Sequence, residues 1–535
     1  MWSPFGLIAA WTVLQTYLAV SASPVSRAGP LVKLQNGTLE GLYNPTYHQD
    51  IFLGIPYASP PVGSLRLQKP TPPKAWNGTK MADSHGPWCM GNSMHLAGFS
   101  QTMPEDMSED CLHLNIVRPS GTHANAKLPV LAWIHGGGLI EGSANDLRNN
   151  GSFLVRNSVQ MNLPILFISF NYRLGVFGIL AGSALENAGL TNLALRDQRQ
   201  ALIWIQENIA RFGGDPSRVT IMGESAGAFS VGSHLLAYGG RDDGLFGAAI
   251  AESGGPFPFG LAASNETQNE AVFNGVLSTV GCTDAADPLE CIRNAPANLL
   301  NSVNQPATTF TVDGDILPDT NMRLLDDGRF VRVPILTGSN RNEGTAFEAL
   351  FMPNPINTYE DFSANIKAYL ERVTIDEQMI QAWSKLYQEE IDDPSAAGLG
   401  MVLSNPGFES GSEYGKMSLL LGDLLFAAGR RLTNQLWYDN GVPSYSYFFD
   451  TVTANVDAKT LGVSHYQEIP YVFGNMDGVG WEVNPFPTEP SLRRKHEKVA
   501  EIMSHMWISF ATTGSPNNHQ GLNLPFGCLI CVELH

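Results

Sequence analysis

Short apolar runs that end in glycine-rich or polar turns recur along this chain, with helical patterns between them. "LPVLAWIHGGG" (128–138), "LPILFISFNYRLG" (163–175), "RVTIMGESAG" (218–227) and "FGAAIAESGG" (246–255) are four such runs. "VPILTGSNRNEG" (333–344) and "VPSYSYFFD" (442–450) come later. Between them lie stretches such as "LALRDQRQALIWIQENIARFG" (193–213), whose apolar residues recur at three and four. Continuous apolar strands suit a sheet buried on both faces, and strand–helix alternation makes that sheet largely parallel. The expected class is α/β, with a mostly parallel central sheet flanked by helices. In such sheets ligands bind beyond the carboxyl ends of the strands. The residues just past each strand are therefore the ones to read for chemistry.

"TIMGESAGAFS" (220–230) puts Ser225 at a strand-to-helix turn between Gly223 and Gly227. G-x-S-x-G alone is a weak signal in a chain with 53 glycines. Its context adds to it: "VTIM" reads as a strand and the residues after Ser225 as a helix, so the hydroxyl would stand above the sheet at a helix N-terminus. Upstream, "HGGG" (His135 to Gly138) ends another strand and offers backbone N–H groups without side-chain obstruction. An acyl-transfer serine also needs a base and an orienting acid, in the chain order serine, acid, histidine. Glu343 lies after the "VPIL" strand; Asp313 and Asp315 in "VDGD" are rivals that read as a turn. Among the later histidines, His465 falls in a loop beyond the "YSYFF" strand. His496 and His505 fall in a helical pattern, and His519 and His535 in a polar tail.

The formal net charge of −19 disfavours phosphate backbones and anionic membranes, so nucleic acid is excluded as a partner. The apolar stretch from Phe5 to Val20 ends in Ser21-Ala22-Ser23 and has the shape of a secretory signal, with cleavage expected near residue 22. It lacks a basic n-region, and Thr12, Gln15 and Thr16 interrupt it, so it is short for a membrane span. No stable membrane insertion is expected. Residues 23–535 then form one domain. Sequons begin at Asn36, Asn77, Asn150 and Asn265, in keeping with export. The six cysteines fall as three sequence neighbours, Cys89 and Cys111, Cys282 and Cys291, Cys528 and Cys531. Disulfides suit an exported chain; a zinc site is the rival reading, weakened by the lack of a second matching pair. The expected destination is secretion, or retention in an endomembrane or vacuolar lumen.

Taken together these stretches resemble the carboxylesterase type B family of the α/β-hydrolase fold, which holds fungal carboxylesterases, Candida-type lipases, animal carboxylesterases and cholinesterases. The resemblance rests on "FLGIPYASPPVGSLRL" (52–67), "SEDCLHLNI" (108–116), "WIHGGG", "NYRLGVFG" (171–178), "FGGDPSRVTIMGESAGA" (212–228), "DGDILPD" (313–319), "NRNEGTAF" and "HYQEIPYVFGN" (465–475). It runs from about residue 30 to about residue 517. It implies a serine carboxylic ester hydrolase working through an acyl-enzyme. Ser225 would be the nucleophile, Glu343 the acid and His465 the base. The N–H groups of Gly137, Gly138 and Ala226 would form the oxyanion hole. Glu224 would give electrostatic support, with no cofactor and no metal.

The resemblance also implies disulfides Cys89–Cys111 and Cys282–Cys291. In family lipases the loop matching residues 90–110 is a flap. Here Met90, Met94, Leu96, Phe99 and Met103 would either face acyl chains or pack on the body. The chain departs from the family after "TGSPN" (513–517): the tail 518–535 looks truncated, and Cys528 and Cys531 match nothing in the pattern. The expected partner is a small-molecule or lipid ester, and oligomeric state stays open. Alternatives to a soluble-ester hydrolase are a triacylglycerol lipase, a tailoring esterase or lactonase of fungal secondary metabolism, and a non-catalytic cholinesterase-like binding protein.

Overall fold

The computed structural model describes residues 29–100, 103–104, 106–257, 266–303, 310–351, 354–370, 375–392 and 411–519. The expected signal segment 1–22, Asn265, Cys528, Cys531, His535 and nearly all of the tail 518–535 lie outside the described residues.

Six apolar runs become the parallel part of one large sheet. They are β7 (Leu128–Ile134), β8 (Leu166–Phe170), β9 (Gly214–Glu224), β10 (Ala248–Glu252), β11 (Ile335–Asn340) and β12 (Ser444–Phe449). Their spatial order is β12-β11-β10-β9-β7-β8, every neighbouring pair parallel. Three further strands, β3 (Leu42–Asn44), β4 (Gln49–Pro56) and β6 (His113–Pro119), extend it beyond β8 as an antiparallel edge to nine strands. A small separate sheet joins β1 (Leu31–Lys33), β2 (Thr38–Glu40) and β5 (Thr79–Met81).

β8, β10 and β11 are buried along their whole length, as strands covered on both faces must be. Alternation along β7 shows the two layers. Val130, Ala132 and Ile134 enter one core cluster, and Leu131 and Trp133 the other. The helix Leu193–Asn208 covers the first face and the long helix Pro490–Thr513 the second. No helix among the described residues is long and apolar enough to cross a membrane.

Both expected disulfides are present, Cys89–Cys111 and Cys282–Cys291, so these four cysteines are not zinc ligands. Of the sequon asparagines, Asn77 is exposed. Asn36 is half-buried and donates through its side-chain amide to the Pro73 carbonyl at 2.7 Å. Asn150, also half-buried, accepts from the Ser152 N–H at 3.0 Å.

Candidate active site

The site grows from the carboxyl ends of five neighbouring strands. Register aligns Ile134 of β7 with Gly223 of β9, Glu224 of β9 with Glu252 of β10, and Glu252 with Gly338 of β11. This alignment gathers the segments just past the strand ends: the glycine loop after β7, Ser225 after β9, Ser253 after β10, Glu343 after β11 and His465 after β12.

Ser225 caps the helix Ala226–Gly240 with φ 55° and ψ −124°. A residue with a Cβ rarely adopts such angles. Packing holds it there. Its N–H donates to the Glu252 carbonyl at 3.0 Å, and its own carbonyl accepts from the Phe229 N–H at 2.9 Å. A Cβ on Gly227 would stand 2.1 Å from the Ile134 carbonyl oxygen, so only glycine lets the helix start so close to β7. The glycine loop lies directly beside the serine: a Cβ on Gly136 would be 3.1 Å from the Ser225 Cβ. Gly137 (φ 104°) and Gly138 (φ 59°) turn the loop back, and the Gly137 carbonyl takes the N–H groups of Ile140 and Glu141, each at 2.9 Å. Among the described residues, the N–H groups of Gly137, Gly138 and Ala226 donate to no protein acceptor.

Glu343 opens a short 3-10 turn three residues beyond β11. One oxygen, Oε1, accepts from the Ser253 hydroxyl at 2.6 Å and the Asn340 N–H at 2.7 Å. The other, Oε2, lies 2.6 Å from His465 Nδ1. A carboxylate can only accept, so the proton sits on Nδ1 and the lone pair on Nε2. His465 Nε2 is 3.0 Å from Glu224 Oε1, but the two are not aligned as a hydrogen bond, and neither atom has a hydrogen-bond partner. Three phenyl rings surround the imidazole, Phe347 at 4.8 Å, Phe426 at 4.9 Å and Phe99 at 5.8 Å between centroids. Phe426 comes from a π-helical turn, Asp423–Ala427, of the kind that often marks functional sites.

The site is rich in buried acid. Burial, then the charges of Glu468, Glu343 and Glu252, pushes the Glu224 carboxyl well above its ordinary range. Burial and Glu468 do the same to Glu252, which accepts from Trp507 Nε1 at 2.6 Å. Burial, then Glu343, raises Glu468 to about 7. Its Oε2 accepts from Asn340 Nδ2 at 2.6 Å.

The other sequence candidates fall elsewhere. Asp313 accepts from the side chains of Thr191, Asn192 and Arg196 and from two backbone N–H groups of its own turn, the turn role read for it. His496 is buried against the Tyr471 hydroxyl at 2.6 Å. His505 and His519 are half-buried in and beyond the last helix. Of the residues between Cys89 and Cys111, Met90 packs in the body with Val176 and Phe177, while Phe99 reaches His465. Sequence reading missed Ser253, Asn340, Glu468, Phe347 and Phe426. Only their position just after a strand, or beside Glu343 and His465, could have pointed to the first four.

A family model described as the carboxylesterase family matches residues 28–525. Lipase 2 of Geotrichum candidum is 33% identical over 530 residues, which cover 90% of this chain and 86% of the relative. Secreted lipase 1 of Botryotinia fuckeliana is 32% identical over 505 residues, 88% of this chain and 82% of the relative. The crystal structure of Aspergillus niger EstA superposes with a TM-score of 0.78 at 29% identity, covering 93% of this chain and 91% of that one.

Proposed function

Because the chain belongs to the carboxylesterase family and is a carboxylic ester hydrolase, we propose that it works by acyl transfer through Ser225, with His465 as general base and Glu343 as the orienting acid. His465 Nε2 takes the hydroxyl proton as Ser225 Oγ attacks the ester carbonyl carbon. The carbonyl oxygen becomes an oxyanion facing the N–H groups of Gly137, Gly138 and Ala226, each such donor contributing about 3–4 kcal/mol in the transition state. The tetrahedral intermediate collapses, and the alcohol leaves with the proton from His465. Water, deprotonated by the same nitrogen, then releases the acid.

The observation that carries this reading is the Glu343–His465 contact at 2.6 Å, with the second oxygen of Glu343 saturated by Ser253 and Asn340. That arrangement fixes the imidazole as an Nδ1–H tautomer and leaves the Nε2 lone pair for the serine. Glu224, its carboxyl pushed well above the ordinary range by burial and then by the charge of Glu468, gives electrostatic support and not a second base. The ring of Phe99, Phe347 and Phe426 around the histidine favours esters with an apolar acyl group. The disulfides and the secreted relative support export.

Hydrolysis of a p-nitrophenyl ester series, short to long acyl, by the native protein beside Ser225→Ala tests the reading. The variant should lose at least about 10⁴-fold in kcat/KM while staying folded. A folded Ser225→Ala that still cleaves esters at the native rate refutes it. Preference for long, emulsified acyl chains would turn the substrate assignment to a triacylglycerol lipase.

A further inference from the structure

The loop closed by the Cys89–Cys111 disulfide spans two pieces of the site. Its first part rests on the glycine loop. The Asn92 N–H donates to the Ile140 carbonyl at 2.8 Å, and a Cβ on Gly91 would come 2.5 Å from that oxygen. Glu141, only 3% exposed, fastens the contact with both carboxylate oxygens. Oε2 accepts from the Met94 N–H at 2.9 Å and Oε1 from the Ser100 hydroxyl at 2.6 Å. The backbone of the same residue shapes the turn. Its N–H donates to the Gly137 carbonyl at 2.9 Å, and a Cβ on Gly137 would meet its carbonyl oxygen at 2.3 Å.

The far part of the loop reaches the histidine. Gln467 Nε2 donates to the Gly98 carbonyl at 3.1 Å and Arg148 Nη1 to the Phe99 carbonyl at 2.6 Å. The Phe99 ring lies 5.8 Å from His465 and 4.7 Å from Tyr466. Arg148 is itself bound by Asp146 and lies 4.6 Å over the Tyr466 ring.

We propose that Glu141 is a positioning residue for ester hydrolysis: it clamps residues 92–100 onto the glycine loop, so that this segment is a fixed strut between the N–H groups of Gly137 and Gly138 and the His465 loop. Burying a carboxylate is costly unless its oxygens are satisfied. An apolar side chain would fill the space but leave the Met94 N–H and the Ser100 hydroxyl without an acceptor. The carboxylate binds both, and the turn that aims Gly137 is held by that grip. The strut works on the transition state and not on the bound ester, because it sets where the N–H groups meet the developing oxyanion. This role for Glu141 rests on the acyl-transfer reading of Ser225.

The test compares Glu141→Ala, Glu141→Gln and Ser100→Ala with the native full chain and with Ser225→Ala. It measures kcat and KM on p-nitrophenyl butyrate, affinity for a trifluoromethyl ketone that adds to the serine as an oxyanion, and thermal melting. Ser100→Ala should lose about tenfold in kcat and Glu141→Ala about 10²-fold, the range of one and two charge-assisted hydrogen bonds. KM should change little, ketone affinity should fall by the same factor as kcat/KM, and Glu141→Gln should fall between. Should Glu141→Ala fail to fold, Ser100→Ala, which removes one hydroxyl, decides alone. Variants that keep kcat and ketone affinity within about twofold overturn the clamp while a dead Ser225→Ala leaves the acyl-transfer reading standing. So does a loss of melting temperature with no selective loss of ketone affinity. A fully active Ser225→Ala overturns both.

Discussion

Ser225 stores strain. Its φ of 55° and ψ of −124° cost a residue with a Cβ about 1–3 kcal/mol. Glycine adopts these angles freely, so Ser225→Gly should be more stable than Ser225→Ala by about 1–2 kcal/mol, less the entropy glycine gains when unfolded. Paired urea melts of the two inactive variants read this directly. Equal stabilities would mean that the strain is relaxed elsewhere. This residue was legible because its constraints are local: two glycines, a strand before and a helix after. Glu343 and His465 were legible by place, each in a loop after an apolar strand. Ser253 and Glu141 were not. The Ser253 hydroxyl meets Glu343 across 90 positions, and Glu141 meets Ser100 across 41. Neither pairing leaves a period or a turn signal in the sequence.

At the scale of elements, the parallel strands announced themselves because burial on both faces demands an unbroken apolar run. Most strands that went unread are short or half-exposed, while β6 (His113–Pro119) is buried at its centre but has Asn115 and Arg118 interrupting its apolar run. β5 (Thr79–Met81) is exposed throughout, and β4 (Gln49–Pro56) carries a register shift between Phe52 and Ile55. Their identity is fixed by the neighbours they pair with and not by their own residues. What locks a helix to this sheet is in one case a buried ion pair. Asp197, in the helix Leu193–Asn208, is fully buried and receives three hydrogen bonds from Arg173, just beyond β8. They are Nε at 2.7 Å, Nη2 at 2.7 Å and the backbone N–H at 3.1 Å. Asp197→Ala would strand the guanidinium without its counter-charge, and removing one partner of a buried pair costs about 3–5 kcal/mol. The expected result is a lowered urea midpoint with an unchanged slope. A midpoint within error of the native value would mean that water reaches Arg173 in the variant.

For the whole molecule, the buried carboxyls beneath the site make stability depend on pH. Glu468, at about 7 in the folded chain against an ordinary 4.5, holds its proton across a window where the unfolded chain has released it. Its contribution is therefore fully present below 4.5 and lost as pH rises through 7. Glu224 and Glu252 are shifted the same way by burial and act in the same direction. Buried histidines oppose them, His496 against the Tyr471 hydroxyl among them. Burial lowers His135 to about 4 and His234 to about 3 from an ordinary 6.5, so each favours the folded state above 6.5 and loses that contribution as pH falls toward those values. The net charge of −19 adds to the acidic side of the balance, since self-repulsion eases as pH approaches the isoelectric point near 5.0. From pH 8 down to about 6.5 the carboxyls and the net charge act together, and the buried histidines enter only below that. The melting temperature should rise as pH falls from 8 to about 6.5, then level off or fall as His135 and His234 come into play. Glu468→Gln, which cannot ionise, should gain less or lose more melting temperature than the native protein as pH falls from about 8 to about 5. A native melting temperature that climbs steadily from about pH 6 to pH 8, or a Glu468→Gln profile parallel to the native one, would show that the buried carboxyls are ionised in the folded protein.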